Sequence, residues 1–510
     1  MNLWELTAPC HFGTEAVLKR EILDLGYEVT RVEDGRVTFE ADAQGVADAN
    51  LFLRTTERVL LKVGEVKAET FDELFEKTKA LPWENYIPKN GKFWVAKANS
   101  IKSKLFSPSD IQSIMKKAIV ERLKGIYGIS WFPEDGPEFP IRVAFMKDVA
   151  LIGIDTSGVS LHKRGYRQMT VKAPITETLA SALLMLTPWK KDRILVDPFC
   201  GSGTFPIEAA MMAADMAPGL NRHFLAESWE HLIPKECWED AREEARERVN
   251  LNIETDIQGF DIDAAAIKAA RANAKMAGVD RLIHFQQRPV SELRHSKPFG
   301  FIVTNPPYGE RIEEKSNLPA LYREIGESYK GLDRWSMYLI TAYDKAENDI
   351  GRKADKKAVD EKEVHSPAEK LPGMTGDAIA RRTKGRHKGG GNCHTGDNVT
   401  YLLFPCSSDN SCKAAENGYQ DIPYGGRGSG QQLVGRRCYG RQHEIYGGYH
   451  HTEHHLEGKL HKRMSDICHV IGGNPVAYIH DPAHERRNQH CPYNNRGAVH
   501  IQSNGSDKHG

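Results

Sequence analysis

The sequence predicts an α/β protein in three parts: a mixed α+β region over roughly the first 160 residues, a doubly wound parallel sheet after it, and a C-terminal tail of low order. Three observations carry this reading. Up to about residue 155 short strands and helices alternate irregularly. From about 173 long helices alternate with short apolar strands, the spacing that builds a parallel sheet with helices on both faces. After about 357 the large apolar side chains become few, Trp and Phe above all. All 8 Trp and 17 of the 18 Phe lie before residue 351, whereas residues 351–510 hold 15 of the 21 His, 23 of the 44 Gly and 6 of the 9 Cys. Such a composition cannot offset its ordering entropy by burial.

The elements follow in order. Glu15–Leu25 has helical spacing, and Val29–Val32 with Arg36–Glu40 reads as a hairpin around Asp34-Gly35, a strong two-residue turn signal. Phe93–Ala98 is a strand, Asp110–Leu123 a helix capped by Ser109 or Asp110, and Ile141–Phe145 with Val149–Ile154 a second strand pair. In the second half the helices are Ala173–Thr187, Phe205–Met216, Trp238–Asn252, Asp263–Ala277 and Leu318–Tyr329. The strands between them are Arg193–Val196, Ile257–Phe260, Ile283–Gln286, Phe301–Thr304 and Met337–Thr341.

The charges balance over the whole chain, 69 Lys+Arg against 69 Asp+Glu, but not locally. Residues 1–350 carry 46 basic and 52 acidic side chains, the remainder 23 and 17. Within the acidic part, Lys89 to Lys124 holds nine basic residues and two acids, among them Lys97, Lys102, Lys104, Lys116 and Lys117; Lys163, Arg164, Arg167 and Lys172 form a second cluster. A solvated face is the plain reading of one basic run, but this concentration favours a polyanion partner. No stretch of about 18 apolar residues spans a membrane, and MNLWELTAPC has no secretory pattern, so a soluble cytoplasmic protein is expected. No metal site is expected either. The tail cysteines lack close pairs, and His450, His451, His454 and His455 would bind metal only adventitiously.

Two loops carry chemistry. Val196-Asp197-Pro198-Phe199-Cys200-Gly201-Ser202-Gly203-Thr204 leaves a strand and opens a helix, where a Gly-rich turn lets backbone approach a ligand. It is neither GxGxxG nor a Walker loop, and alone it is equally a tight turn. Asp261, at the end of the next strand, is placed to accept hydrogen bonds from both ribose hydroxyls of a nucleoside, while Asp263 reads as a helix cap. The second loop is Thr304-Asn305-Pro306-Pro307-Tyr308-Gly309. Two prolines stiffen it and remove two donors. The Asn305 side-chain oxygen and the Pro306 carbonyl can then accept both hydrogens of an exocyclic amine, and Tyr308 offers a face for an extruded base.

DPFCGSG with NPPYGER resembles the class I S-adenosylmethionine-dependent amino-methyltransferases. LHKRGYRQMTVKAPITETLASALL (161–184) and ANSIKSKLFSPSDIQSIMKKAIVERL (98–123) resemble the THUMP-containing RNA guanine-N2 methyltransferases of the RlmL/YpsC type, which act on 23S rRNA. The resemblance covers roughly 1–357. It implies a ferredoxin-like region over 1–59, a THUMP RNA-binding domain over 60–160 and a Rossmann-like methyltransferase over 161–357. It also implies S-adenosyl-L-methionine as cofactor. Asp197, Gly201 and Gly203 would meet its methionine end and Asp261 its ribose, with Phe199 and Thr204 also binding the cofactor. Ala173, Pro174 and Glu177 would belong to a helix beside it, and Asn305, Pro306, Pro307 and Tyr308 would hold the guanine. Lys97, Lys102, Lys104, Lys116, Lys117, Lys163, Arg164 and Arg167 would face RNA.

Two departures from the family pattern stand out. The run Phe285–Ser291 has no acid for the adenine amine, so Gln287 or a backbone group must serve. The two antiparallel strands that end the family's sheet also have no recognisable counterpart after Ala358, Asn398–Phe404 being the one strand-like run nearby. Residues 358–510 accordingly read as a frame-shifted or otherwise aberrant tail, with a basic RNA-binding extension or a His/Cys metal segment as alternatives. The alternatives in function are a tRNA guanine-N2 methyltransferase, an N6-adenine DNA methyltransferase lacking its target-recognition domain, and a non-catalytic THUMP RNA-binding protein.

Overall fold

The turn at Asp34-Gly35 joins β2 (Glu28–Glu33) to β3 (Arg36–Ala41), with Gly35 at φ 74° as such a turn requires. The computed structural model describes residues 3–169, 174–308, 316–360 and 399–404. The rest of the expected tail, with its His and Cys residues, lies outside the described residues, as do Lys172, Ala173 and Gly309. Around the hairpin stand β1 (Trp4–Pro9), α1 (Glu15–Asp24) and α2 (Ala43–Phe52). They are followed by β4 (Leu60–Lys67), α3 (Phe71–Ala80), β5 (Lys92–Ile101), α4 (Pro108–Tyr127), β6 (Glu138–Met146) and β7 (Val149–Asp155). The cap of α4 is Ser107 rather than Ser109 or Asp110: its hydroxyl accepts from the Asp110 amide, with Pro108 opening the helix.

All seven strands share one sheet in the order β2-β3-β1-β4-β7-β6-β5, antiparallel except for the β5–β6 pair. The two expected N-terminal domains are thus continuous through β1 and β4, where Leu6 faces Leu61.

The second half comprises α5 (Glu177–Leu186), β8 (Leu195–Asp197), α6 (Thr204–Ala213), α7 (Lys235–Glu247), β9 (Ile257–Asp261) and α8 (Ala264–Ala277). Next come β10 (Ile283–Gln287), β11 (Phe301–Thr304), α9 (Leu318–Lys330), β12 (Ser336–Thr341) and α10 (Ala346–Ile350). Asp263 caps α8 as expected, accepting from the Ala265 amide at 2.8 Å, and Gly278 ends it at φ 75°. The expectation that the two closing strands lack a counterpart is corrected, and the strand-like run at 398–404 supplies one of them. Lys356–Asp360 forms β13 and Val399–Phe404 forms β14, and they close a seven-stranded sheet in the order β10-β9-β8-β11-β12-β14-β13. β14 runs antiparallel to β12, with Leu339 opposite Leu402. Strand pairing is made by main-chain groups, so it needs alternation and reach but no recognisable motif.

Apolar side chains on both faces of this sheet form two cores, one with α6 and α8 and one with α9 and α10. A third core fills the N-terminal sheet and takes in Phe224, Trp229, Ile233, Trp238 and Ala241 from the segment around α7. Trp229 stacks on Phe139 at 4.8 Å and donates to the Glu138 carbonyl. The second half therefore reaches back and completes the core of the first.

Candidate active site at the ends of β8, β9 and β11

Parallel pairing places the carboxyl ends of β8, β9 and β11 side by side, with β8 between the other two. Both chemistry-bearing loops leave from this edge. In the first, Gly201 and Gly203 adopt φ 51° and 89°, and Gly203 caps α6. A Cβ on Gly203 would lie 3.0 Å from Ala270 Cβ and 3.1 Å from the Phe285 ring, so helix α8 and β10 can press against the loop only because the side chain is absent. The loop is held from β9: the Gly201 amide donates to Asp261 Oδ2 at 3.0 Å, and the Asp263 amide donates to Asp261 Oδ1 at 2.9 Å. Each oxygen keeps further accepting capacity for a hydroxyl, and burial, foremost, with the neighbouring Asp263 charge, raises its pKa. A bare, left-handed loop beside an anchored carboxylate fits the methionine and ribose portions of S-adenosylmethionine. Gln287 stands at the end of β10 and donates to the Ile262 carbonyl at 3.0 Å, next to Asp261.

The second loop joins the first through one buried hydrogen bond, from Thr304 Oγ1 to Asp197 Oδ1 at 2.6 Å. The Phe199 amide donates to the same carboxyl oxygen. Phe199 itself is half-buried against the core on the α9 side. Beyond Thr304, Pro306 is buried, Pro307 exposed and Tyr308 half-buried. The Tyr322 hydroxyl from α9 donates to the Pro307 carbonyl at 3.4 Å and bonds Thr341 on β12, tying the loop to the sheet. Asn305 Oδ1 is buried with no hydrogen-bond partner among the described residues. An unsatisfied buried acceptor costs about 1–3 kcal/mol, which a donor arriving there would recover. Thr304 and Tyr322 were not among the expected site residues. A threonine ending an apolar strand was the available signal for the first, whereas nothing local marks Tyr322.

Asp197 is 2% exposed. Burial pushes its carboxyl up from 3.8 to about 7, against the hydrogen bonds from Thr304 and Phe199 and with help from the charge of Asp261. A carboxyl whose folded pKa exceeds its unfolded one stabilises the fold while protonated. That contribution is full below about pH 4 and is lost as pH rises through about 7. Asp197→Asn keeps the oxygen that accepts from Thr304. In cofactor-free protein it is expected to match wild type at pH 4 and to exceed it at pH 8, by on the order of 2–4 kcal/mol in urea unfolding. Equal stabilities at pH 8 would contradict the raised pKa.

The two basic groups separate. Lys97, Lys102, Lys104, Lys117 and Lys163 are exposed. Lys104 pairs with Glu69, and Lys117 lies 5.7 Å from the centre of the Phe75 ring. Lys116 is half-buried, over the Phe93 ring at 4.1 Å and 3.5 Å from Glu134. Arg164 and Arg167 correct the sequence reading, because both point inward. Arg164 is 4% exposed; it donates to the Leu161 and Arg54 carbonyls and lies 3.8 Å from the fully buried Glu208. Arg167 pairs with Glu177 at 3.0 Å and donates to Thr204 Oγ1 and the Ile175 carbonyl. Glu177, expected beside the cofactor, is buried in this ion pair at the start of α5. Its link to the Gly-rich loop therefore runs through Arg167 and Thr204. Basic residues in sequence look alike whether they serve RNA or a buried acid; only the position of Glu208 and Glu177 separates them.

Among the described residues no helix is long and apolar enough to cross a membrane. Comparison with known proteins matches residues 5–60 to the RlmL ferredoxin-like domain and 68–155 to the THUMP domain. Residues 164–371 match the RMKL-like methyltransferase domain. The chain is 48% identical over 359 residues to the putative RNA methyltransferase YpsC of Bacillus subtilis (strain 168), covering 70% of this chain and 92% of that one. It is 33% identical to the ribosomal RNA large subunit methyltransferase K/L of Marinomonas sp. (strain MWYL1), covering 67% of this chain and 49% of that longer protein. The crystal structure of SMU.472, a putative methyltransferase complexed with SAH, superposes with a TM-score of 0.68 at 38% identity, over 79% of this chain and 98% of the other. With that identity and coverage, and with the two loops joined at one sheet edge, the chain belongs to the RMKL-like methyltransferase family and uses S-adenosyl-L-methionine.

Proposed function

We propose that this protein methylates the exocyclic N2 amine of a guanosine in large-subunit (23S) rRNA. The observation that carries the reading is the buried Asn305 oxygen, without a hydrogen-bond partner among the described residues and one residue beyond the Thr304–Asp197 bond that fixes its loop to the cofactor loop. Similarity to the putative RNA methyltransferase of B. subtilis and to the ribosomal RNA large subunit methyltransferase of Marinomonas supports an RNA, and specifically an rRNA, substrate. When bound, S-adenosylmethionine supplies a methyl group on a sulfonium that is its own leaving group, so alignment contributes most of the catalysis and the proton of the methylated amine is acidic enough to pass to water.

The chain's residues hold and orient. Asn305 accepts from the amine and draws its lone pair out of conjugation, with the Pro306 carbonyl as second acceptor. Tyr308 stacks on the base, which must be unpaired or flipped to reach it. Asp261 takes the ribose hydroxyls, and Asp197 with the loop from Phe199 to Thr204 surrounds the methionine end. The exposed lysines Lys97, Lys102, Lys104, Lys117 and Lys163 meet phosphates, a sequence-independent contact suited to structured RNA.

Tritiated-methyl transfer to unmodified 23S rRNA and to tRNA, with mass-spectrometric identification of the product nucleoside, tests the reading. Label appearing as N2-methylguanosine in 23S rRNA supports it. Label on tRNA alone overturns the rRNA assignment, and N6-methyladenosine overturns the guanine. Asp261→Ala is expected to weaken S-adenosylhomocysteine binding about 10- to 100-fold, the worth of one to two charge-assisted hydrogen bonds. Calorimetry checks this, and an unchanged affinity would remove Asp261 from the site.

A further inference from the structure

Helix α8 presents an alanine-rich face to the core: Ala266, Ala269, Ala270, Ala274 and Ala277 are buried. In the middle of that face sits Asn273, 0% exposed. Asparagine is a poor helix former and a costly group to bury unless it is satisfied, so its presence needs another explanation than the helix. Its amide is saturated. Nδ2 donates to the Met169 carbonyl at 2.9 Å and to the Ser202 carbonyl at 3.0 Å; Oδ1 accepts from the Gln168 and Met169 amides at 3.1 and 3.2 Å. Two donors and two acceptors exhaust what a carboxamide offers.

These partners belong to two separate pieces of chain. Gln168 and Met169 lie in the connector that leaves the N-terminal sheet after β7. Ser202 lies in the Gly-rich loop, between the Gly201 amide that holds Asp261 and Gly203 that caps α6. The same connector is fixed at Tyr166, whose hydroxyl donates to Glu208 at 2.9 Å, and at Arg167, which reaches Thr204. The loop is therefore gripped from three directions: by Asp261 at Gly201, by Asn273 at Ser202 and by Arg167 at Thr204.

We infer that Asn273 is a positioning residue for cofactor binding, which sets the Ser202 carbonyl, and with it the Gly201–Asp261 contact, by the placement of the connector. It touches no reacting atom and acts through the loop. No other side-chain amide could do the same from this position. Aspartate loses both donors while keeping the shape, and alanine takes the shared partner from the Met169 and Ser202 carbonyls and from the Met169 amide, the Gln168 amide keeping its bond to the Tyr166 carbonyl.

Full-length Asn273→Ala and Asn273→Asp, titrated with S-adenosylhomocysteine by calorimetry, test this. Both are expected to bind at least about 10-fold more weakly than wild type, because each loses the bond to Ser202. Stoichiometry reports the folded fraction, so a merely structural role would lower stoichiometry and melting temperature and leave Kd unmoved. That result would overturn the inference. A measurement on wild type serves even if neither variant folds: amide hydrogen exchange at Gln168 and Met169 should slow on adding S-adenosylhomocysteine. Unchanged exchange there, with binding otherwise confirmed, would also overturn it. Failure of wild type to bind S-adenosylhomocysteine would instead count against the methyltransferase site itself, independently of Asn273.

Discussion

Asn305→Ala is expected to slow methyl transfer by about 10²–10³-fold, the usual loss when one preorganised group at a developing charge is removed, and to leave S-adenosylhomocysteine affinity within about threefold. The Asn305 oxygen is buried with no hydrogen-bond partner among the described residues, beyond the end of β11, while the groups expected to hold the cofactor, Asp197 and Asp261, lie on β8 and β9. The Thr304–Asp197 bond that joins the loops does not involve the Asn305 side chain, so truncation should leave the first loop in place. Single-turnover kinetics on the RNA that wild type labels, with calorimetry on the same samples, separates the two quantities. A variant with near-normal turnover would take Asn305 out of the chemistry, and one that lost cofactor affinity in proportion would make it a loop-positioning residue instead.

Arg164→Ala is expected to destabilise the protein by about 3–5 kcal/mol, the cost of taking an ion-pair partner from a buried charge. Glu208 is fully buried; Tyr166 and Ser181 donate to its carboxylate at 2.9 and 2.7 Å, and of the two buried cations that feel its charge, Arg164 and Arg54, the substitution would leave only Arg54. The guanidinium also binds the Leu161 and Arg54 carbonyls, which would lose their donors. Lys163→Ala, one residue earlier and exposed, should change stability by less than about 0.5 kcal/mol. Urea unfolding of the pair decides the matter. If Arg164→Ala kept wild-type stability and only weakened RNA binding, the inward reading of Arg164 would fail.

Much of the candidate site was legible because its signals are local. Gly201 and Gly203 announce a turn that a Cβ would block, Asp261 follows an apolar strand at the right remove, and the double proline after Asn305 marks a stiff acceptor loop. Asp263 as a helix cap belongs with these, since a cap depends on the two or three residues after it. The contacts that assemble the site are not local. Thr304 with Asp197 spans 107 positions and Asn273 with Met169 spans 104, and no periodicity or propensity encodes such pairs. The edge strands failed for the same reason: β13 and β14 satisfy each other's main chain across a long interval, and the residues between them give no hint of the pairing.

By itself, then, the sequence determined the α/β class, the parallel sheet, the two loops and the family resemblance, all of which depend on short-range pattern and on residue types that chemistry restricts. Only the tertiary structure decided that the N-terminal strands form one sheet, that the segment around α7 returns to fill that sheet's core, and that Arg164 and Arg167 turn inward. Each of those outcomes is set by which buried group lies opposite. A charge or an aromatic ring takes its role from the partner that burial assigns it, and that partner is distant in the chain.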